Sequence, residues 1–246
     1  MSFPAVPSPT QPFPQLMKFL LRKAKAILFR DMDDVYTKQR DKMVSDQLIG
    51  RGIRDPRVIA AMRKVPRHLF VTDEFRGRAY SDSPLPIGEH QTISQPYIVA
   101  LMVQALELQG GERILEIGTG SGYEAAILAE ICGQVYSIER IEELAGRARM
   151  ILSGLGYDNI LMHIGDGTLG WEEHAPYDGI VVSASGPQIP RPLVQQLQPQ
   201  GTLVLPMGEE EFQTLVRIRK ESAGLKEEYL GDCRFVKLKG SYGWEE

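Results

Sequence analysis

The stretch RILEIGTGSGYEAAILA, Arg113 to Ala129, decides how the chain folds. Three apolar residues in five, closed by Gly118, read as a short buried strand, and SGYEAAILAEIC after it reads as a helix. Between them lie Gly118, Gly120 and Gly122, spaced so that the backbone can turn tightly and come close to a ligand. A dinucleotide-binding turn would be GxGxxG, with Gly or Ala at position 123, but Tyr123 stands there. The GxGxG spacing suits a ligand without a pyrophosphate and disfavours a nicotinamide dehydrogenase.

Outward from this turn the pattern repeats. QVYSIE is a strand, RIEELAGRARMILSGLG a helix closed by glycine, and NILMHIGD, YDGIVVSAS and GTLVLPMG are three further apolar runs. Strands alternating with helices predict an α/β fold: a doubly wound, mostly parallel, Rossmann-like sheet covered on both faces. FQTLVRIRKE and EYLGDCRFVKLK read instead as an antiparallel strand pair at one edge, with Glu221 to Lys226 as their turn. Upstream, residues 37–80 read as helical, with Asp55-Pro56 as a helix start.

In such a sheet ligands lie at the carboxyl ends of the strands, where the strand order reverses. Three successive strand ends carry acids: Glu116 beside Gly118 and Gly120, Glu139 followed by Arg140, and Asp166 followed by Gly167. A carboxylate at the second strand end can accept from both ribose hydroxyls and would repel a 2′-phosphate. Asp166 could accept from the amine of an adenine. Each taken singly is equally a solvated carboxylate or a bare turn. In sequence they describe a nucleoside cradle, which points to S-adenosyl-L-methionine and a class I methyltransferase.

HQTISQPYIVALMVQAL, His90 to Leu106, raises a separate question about Ser94. Ser is a favoured N-cap, Pro96 suits a first helical turn, and Ile98, Leu101, Met102 and Ala105 recur at helical spacing. The segment therefore predicts Ser94 as a helix cap, a role compatible with chemistry.

Composition narrows the partners. The chain has 246 residues, is 43% hydrophobic and carries a formal net charge of −4, so one large domain fits and no basic nucleic-acid footprint is expected. Cys132 and Cys233 read as thiols of a reducing compartment, and the four histidines have no metal-ligand spacing. Met1 to Pro14 holds five prolines and is expected to be disordered. MKFLLRKAKAILFR, which follows, is basic and apolar by turns, and Arg22, Lys23 and Lys25 break the apolar core that a secretory signal needs. An appended helix is the preferred reading; a membrane-surface contact is the alternative. Residues 1–36 are accordingly set apart as an N-terminal extension, and 37–246 as the catalytic domain.

Together LPIGxxQTISQPYIVALM, LEIGTGSGY, GDG, GTLVLPMG and RFVKL resemble the protein-L-isoaspartate O-methyltransferase family, from about Thr37 to the end of the chain. QTISQP is the specific part, since other S-adenosylmethionine enzymes share the glycine loop alone. The resemblance implies methylation of the α-carboxylate of L-isoaspartyl residues in damaged proteins, the first step of repair through a succinimide, in the cytoplasm. It implies Ser94 as the active-site serine, with Gln91, Thr92 and Ile93 in the adjoining loop, Glu139 and Arg140 at the ribose, and Asp166 and Gly167 at the adenine. Many members carry glycine where this chain has His90, which is read as a benign substitution. The rivals were a methyltransferase for nucleic acids or metabolites and a non-catalytic protein keeping the fold. SASGPQIP, Ser183 to Pro190, lacks the NPPY-type segment of amino-methylating nucleic-acid enzymes.

Overall fold

Asp55 begins a helix as its sequence predicts. Its carboxylate accepts from the Arg57 and Val58 amides at 2.7 and 3.4 Å, and Pro56 follows as the first helical residue of α1, Pro56–Lys64. This is a computed structural model that describes residues 35–245. The chain divides into two compact units, residues 1–39 and 40–246. Of the first only residues 35–39, which are helical, are described; the expected disorder at 1–14 and the basic helix after it lie outside the described residues. All that follows concerns the second unit.

The helical expectation for residues 37–80 breaks into shorter pieces. After a π-helical stretch at Met43–Leu48 and α1 come two 3₁₀ segments, Arg67–Leu69 and Asp73–Arg78. A small antiparallel hairpin then forms from β1, Leu85–Gly88, and β2, Gln91–Ile93. Glu89 and His90 make its turn at φ 51° and 55°, in the left-handed region. That conformation costs an ordinary residue about 1 kcal/mol or more and glycine almost nothing. A glycine at the place of His90 would therefore suit the turn, so His90 is not neutral for the backbone.

Helix α2, Pro96–Ala105, corrects the reading of Ser94. Its N-cap is Gln95, whose side chain makes no capping bond, and Ser94 lies one residue outside the helix. Proline at the first helical position supplies the favourable φ without a hydroxyl cap.

The main sheet contains β3, Arg113–Ile117; β4, Gln134–Glu139; β5, Ile160–Ile164; β6, Tyr177–Val182; β7, Leu197–Gly208; β8, Gln213–Glu221; and β9, Gly224–Cys233. Its order is β5-β4-β3-β6-β7-β8-β9, parallel through β7 and antiparallel across the last two pairs. The central strands β3 and β6 are buried along nearly their whole length, as apolar runs covered on both faces must be. Chain order reverses beside β3, so the crevice at its carboxyl end is the topological place for a ligand. Helix α3, Tyr123–Ala129, leaves that crevice, and α4, Glu142–Gly154, follows β4. Gly156 closes α4: its amide donates to Ser153 O at 3.1 Å and the Tyr157 amide to Leu152 O at 3.1 Å, both orphan carbonyls of the last turn.

The edge hairpin is tighter than its sequence suggested. Lys226 already pairs with Arg219, so the turn shrinks to Ser222 and Ala223. Nor does RFVKLK extend the strand. It leaves the hairpin after Cys233 and runs back over the sheet ends, where Val236 O accepts from Ser185 N and Leu238 N donates to Ser185 O, both at 2.8 Å.

Candidate active site

The carboxyl ends of β3 and β4 open into a cavity of about 700 Å³. Its floor is the glycine loop. Gly118, Gly120 and Gly122 all have positive φ (94°, 52° and 87°), which glycine adopts without strain; Gly118 and Gly120 line the cavity, whereas a Cβ at Gly122 would meet Ala148 Cβ at 3.2 Å on α4. Glu139 fixes this loop. The Gly120 amide donates to Glu139 Oε2 at 2.8 Å, and the Ile141 amide to Oε1 at 2.9 Å. A carboxylate has about four acceptor positions, so each oxygen keeps one for a ligand hydroxyl on the cavity side. Gly167 forms the opposite wall; a Cβ there would lie 2.4 Å from Ile117 Cγ2, so only glycine fits. Arg140 also lines the cavity. The β1–β2 turn and the segment after it, Gln91, Thr92, Ile93 and Ser94, complete one side.

Two sequence-assigned residues lie elsewhere. Glu116 is fully buried beneath the loop and does not line the cavity; it accepts from the Ser137 hydroxyl, which also meets Thr119 Oγ1 at 2.5 Å. Asp166 turns its carboxylate into the protein wall, accepting from Thr168 N at 2.9 Å, Thr168 Oγ1 at 2.6 Å and Ser241 N at 2.8 Å. It faces a neighbouring cavity of about 430 Å³ shared with Arg140 and Lys239. Burial works to raise its pKa, but the bonds from Ser241 and Thr168 outweigh that and hold the carboxyl below its usual range.

Sequence reading missed Glu124, which is 7% exposed and lines the cavity, with Oε2 accepting from the Ser183 hydroxyl. The signal was there: a carboxylate in the first turn of a helix whose run YEAAIL is otherwise apolar. Among the described residues neither Glu116 Oε1 nor Glu124 Oε1 has a hydrogen-bond partner. Burial drives both carboxyls upward, Glu124 to about 7 and Glu116 well above the carboxylate range, the latter raised further by the charges of Glu124 and Glu139. The RFVKL segment was also not foreseen as wall. Lys237 reaches Glu210 at 2.8 Å across one side of the cavity.

The family model for protein-L-isoaspartate(D-aspartate) O-methyltransferase matches residues 38–243. The chain belongs to that family. It is 57% identical over 210 residues to protein-L-isoaspartate O-methyltransferase 1 of Syntrophobacter fumaroxidans, covering 85% of this chain and 98% of the relative. The corresponding enzyme of Syntrophus aciditrophicus is 55% identical over 87% of this chain and 99% of its own length. Among solved structures, a protein-L-isoaspartate O-methyltransferase superposes with a TM-score of 0.76 at 29% identity, over 83% of this chain and 67% of that one. A Plasmodium falciparum protein described by the same name, in complex with S-adenosyl-L-homocysteine, superposes with a TM-score of 0.70 at 26% identity, over 81% of this chain and 98% of its own. The fold is that of a class I, Rossmann-like methyltransferase.

The buried acids of this methyltransferase make its stability depend on pH in a stated direction. A carboxyl whose folded pKa is raised binds its proton more tightly in the folded state, so stability falls as pH rises from the unfolded pKa, near 4.5, to about 7. One unit is worth about 1.4 kcal/mol, so Glu124 alone costs up to about 3 kcal/mol above pH 7. Glu124→Gln removes that cost. Urea unfolding from pH 4.5 to 8 should show the variant gaining on the native chain as pH rises and exceeding it at pH 8; parallel profiles would mean that Glu124 titrates normally.

Proposed function

We propose that Ser94 positions the substrate carboxylate and that the cavity beneath it holds the cofactor through the glycine loop, Glu139, Arg140 and Gly167. The chain transfers the methyl group of S-adenosylmethionine to the α-carboxylate of L-isoaspartyl residues in damaged proteins, opening their repair through a succinimide. The observation that carries the role of Ser94 is its freedom. It lines the cavity, stands outside the helix it was expected to cap, and its hydroxyl has no protein partner among the described residues, while its backbone carbonyl is held by Arg67. The cavity fits a nucleoside on its own terms: a floor with glycines at 118 and 120, a carboxylate with acceptor positions to spare for a ribose diol, and a wall glycine at 167 where a Cβ would clash. Gln91, Thr92 and Ile93 close it from the substrate side.

Bound S-adenosylmethionine supplies a methyl carbon made electrophilic by its sulfonium. The chain has little proton chemistry to do. The nucleophile is a carboxylate with a pKa near 4, ionised at pH 7, so no general base is needed. Anion and cation become neutral products, a step that water opposes by solvating the charges; walls that exclude water assist it. What remains is alignment: a hydroxyl on Ser94 that can donate to one carboxylate oxygen and leave the other aimed at the methyl group. The unengaged hydroxyl is suited to that.

Residues 37–246 form the catalytic domain in this reading and residues 1–36 an extension to it, supported by the family match at 38–243 and the compact unit at 40–246. Two unpaired thiols, Cys132 and Cys233, favour the cytoplasm. Among the described residues no helix is long and apolar enough to cross a membrane. Damaged proteins and peptides, not nucleic acids, are the partners.

Ser94→Ala should lower turnover roughly 10- to 1,000-fold, the scale for one positioning hydrogen bond, and leave thermal stability nearly unchanged because no cap is lost. Glu139→Ala should do the opposite. It weakens cofactor binding by about 1.5–3 kcal/mol, as loss of hydrogen bonds to a charged group does, and loosens the glycine loop with it. Calorimetry with S-adenosylhomocysteine and initial rates on an isoaspartyl peptide separate the two; a normal rate for Ser94→Ala removes the serine from the mechanism. A chain lacking residues 1–36 should stay folded and active, and its loss of cofactor binding would place the extension within the domain.

A further inference from the structure

Arg67 is the bulkiest side chain in the fully buried core, with no solvent exposure, and among the described residues it forms no ion pair. Taking a guanidinium out of water without a carboxylate is costly, and folds keep such a group only where its bonds are needed. Its bonds go to backbone. Nε donates to Ala79 O at 2.7 Å and Nη2 to Ser94 O at 2.8 Å, while Nη1 has no partner among the described residues. Its plane stands over the ring of Tyr123, 4.8 Å from the centroid, and Tyr123 is the first residue of α3 after the glycine loop. Burial brings its pKa down to about 10, opposed by Tyr123 and Tyr80, which leaves it cationic at neutral pH. One rigid, planar group thus touches the residue proposed to hold the substrate and the first helical residue beyond the cofactor loop.

We propose that Arg67 is a positioning residue for Ser94: its guanidinium grips the Ser94 carbonyl against Tyr123, so that the serine hydroxyl is aimed at the substrate carboxylate from a frame tied to the cofactor loop. The proposal rests on the assignment of Ser94 made above. The fork is what the role requires. A lysine ammonium is a point donor without a plane to stack, and it cannot reproduce two divergent N–H bonds to Ala79 and Ser94 together with the ring contact. A charge effect alone would act differently. A cation near the carboxylate stabilises the charged reactant more than the neutralising transition state, so it would lower KM without raising kcat. Positioning acts on kcat.

The test is a cycle of Arg67→Met, Arg67→Lys, Ser94→Ala and the two double variants, read by thermal unfolding, S-adenosylhomocysteine affinity, and kcat and KM for an isoaspartyl peptide. Arg67→Met should lose roughly 10- to 100-fold in kcat, the scale of a small misplacement of a reacting group, with S-adenosylhomocysteine affinity within about twofold. Arg67→Lys should recover only part of the loss. In the Ser94→Ala background either change at Arg67 should cost less than about threefold more, because the group they would misplace is gone. Multiplying losses in the double variants, or an undiminished kcat for Arg67→Met, overturns the proposal. A normal rate for Ser94→Ala itself would instead sink the assignment of the serine. Should neither Arg67 variant fold, the unsubstituted protein decides. The Arg67 Nε–H resonance should shift when the isoaspartyl peptide joins the S-adenosylhomocysteine complex, and an unmoved resonance counts against the coupling.

Discussion

The carboxylate of Glu139 is the fastening on which the site depends. One oxygen holds the amide of Gly120 in the loop after β3, and the other holds the amide of Ile141, which leads from β4 into α4. Two parallel strands thereby have their carboxyl ends tied through a single side chain, and the crevice between them keeps its width. Without that tie a loop with three residues at positive φ keeps only backbone bonds, from Gly118 and Thr119 to Ile138 O and from Gly122 to Thr119 O. Burial of Glu139, at 5% exposure, makes these bonds strong and their loss expensive. Glu139 also lines the cavity, so the group that shapes the cradle is also one that the ligand would meet.

Charge is divided across the cavity in a way that suits the two reactants. Glu116, Glu124 and Glu139 lie close together here; burial leaves Glu116 and Glu124 reluctant to ionise, and at Glu116 the charges of Glu124 and Glu139 add to that. A cationic cofactor bound beside them would favour their ionised forms. Behind the carbonyl of Ser94 the buried charge is positive: Arg67, which forms no ion pair among the described residues. The reaction itself joins an anionic nucleophile to a cationic methyl donor. Neither charge needs to move during the reaction, which only annihilates the pair between them.

The parts legible in the sequence were those written locally. Apolar runs bounded by Gly and Asp located β3 to β7, Asp55-Pro56 located the start of α1, and the GxGxG spacing located the cavity floor. Where side chains point was harder. Both faces of β3 are buried, so period-two alternation could not tell that Glu116 goes beneath the loop, while Glu124, in the first turn of α3, reaches the cavity. Ser94 missed its expected cap by one position because Pro96 already sets the helix entry and Gln95 takes the boundary without a side-chain bond. Arg67 carried no local mark at all. Its partners stand 12 and 27 residues away, and only the folded chain brings them together. The same holds for RFVKL, which reads as a strand and folds as wall because Ser185 captures its backbone.

One measurement goes to the centre of this account: transfer of labelled methyl from S-adenosylmethionine to a peptide with one L-isoaspartyl residue, run beside the same peptide with normal aspartate. The two differ only in where the free carboxylate hangs from the backbone, so an enzyme that works by alignment must tell them apart. The expected result is a base-labile methyl ester on the isoaspartyl peptide and essentially none on its aspartyl twin. Equal labelling of both, or of neither, with cofactor bound normally, would contradict the positioning of an isoaspartyl carboxylate at Ser94.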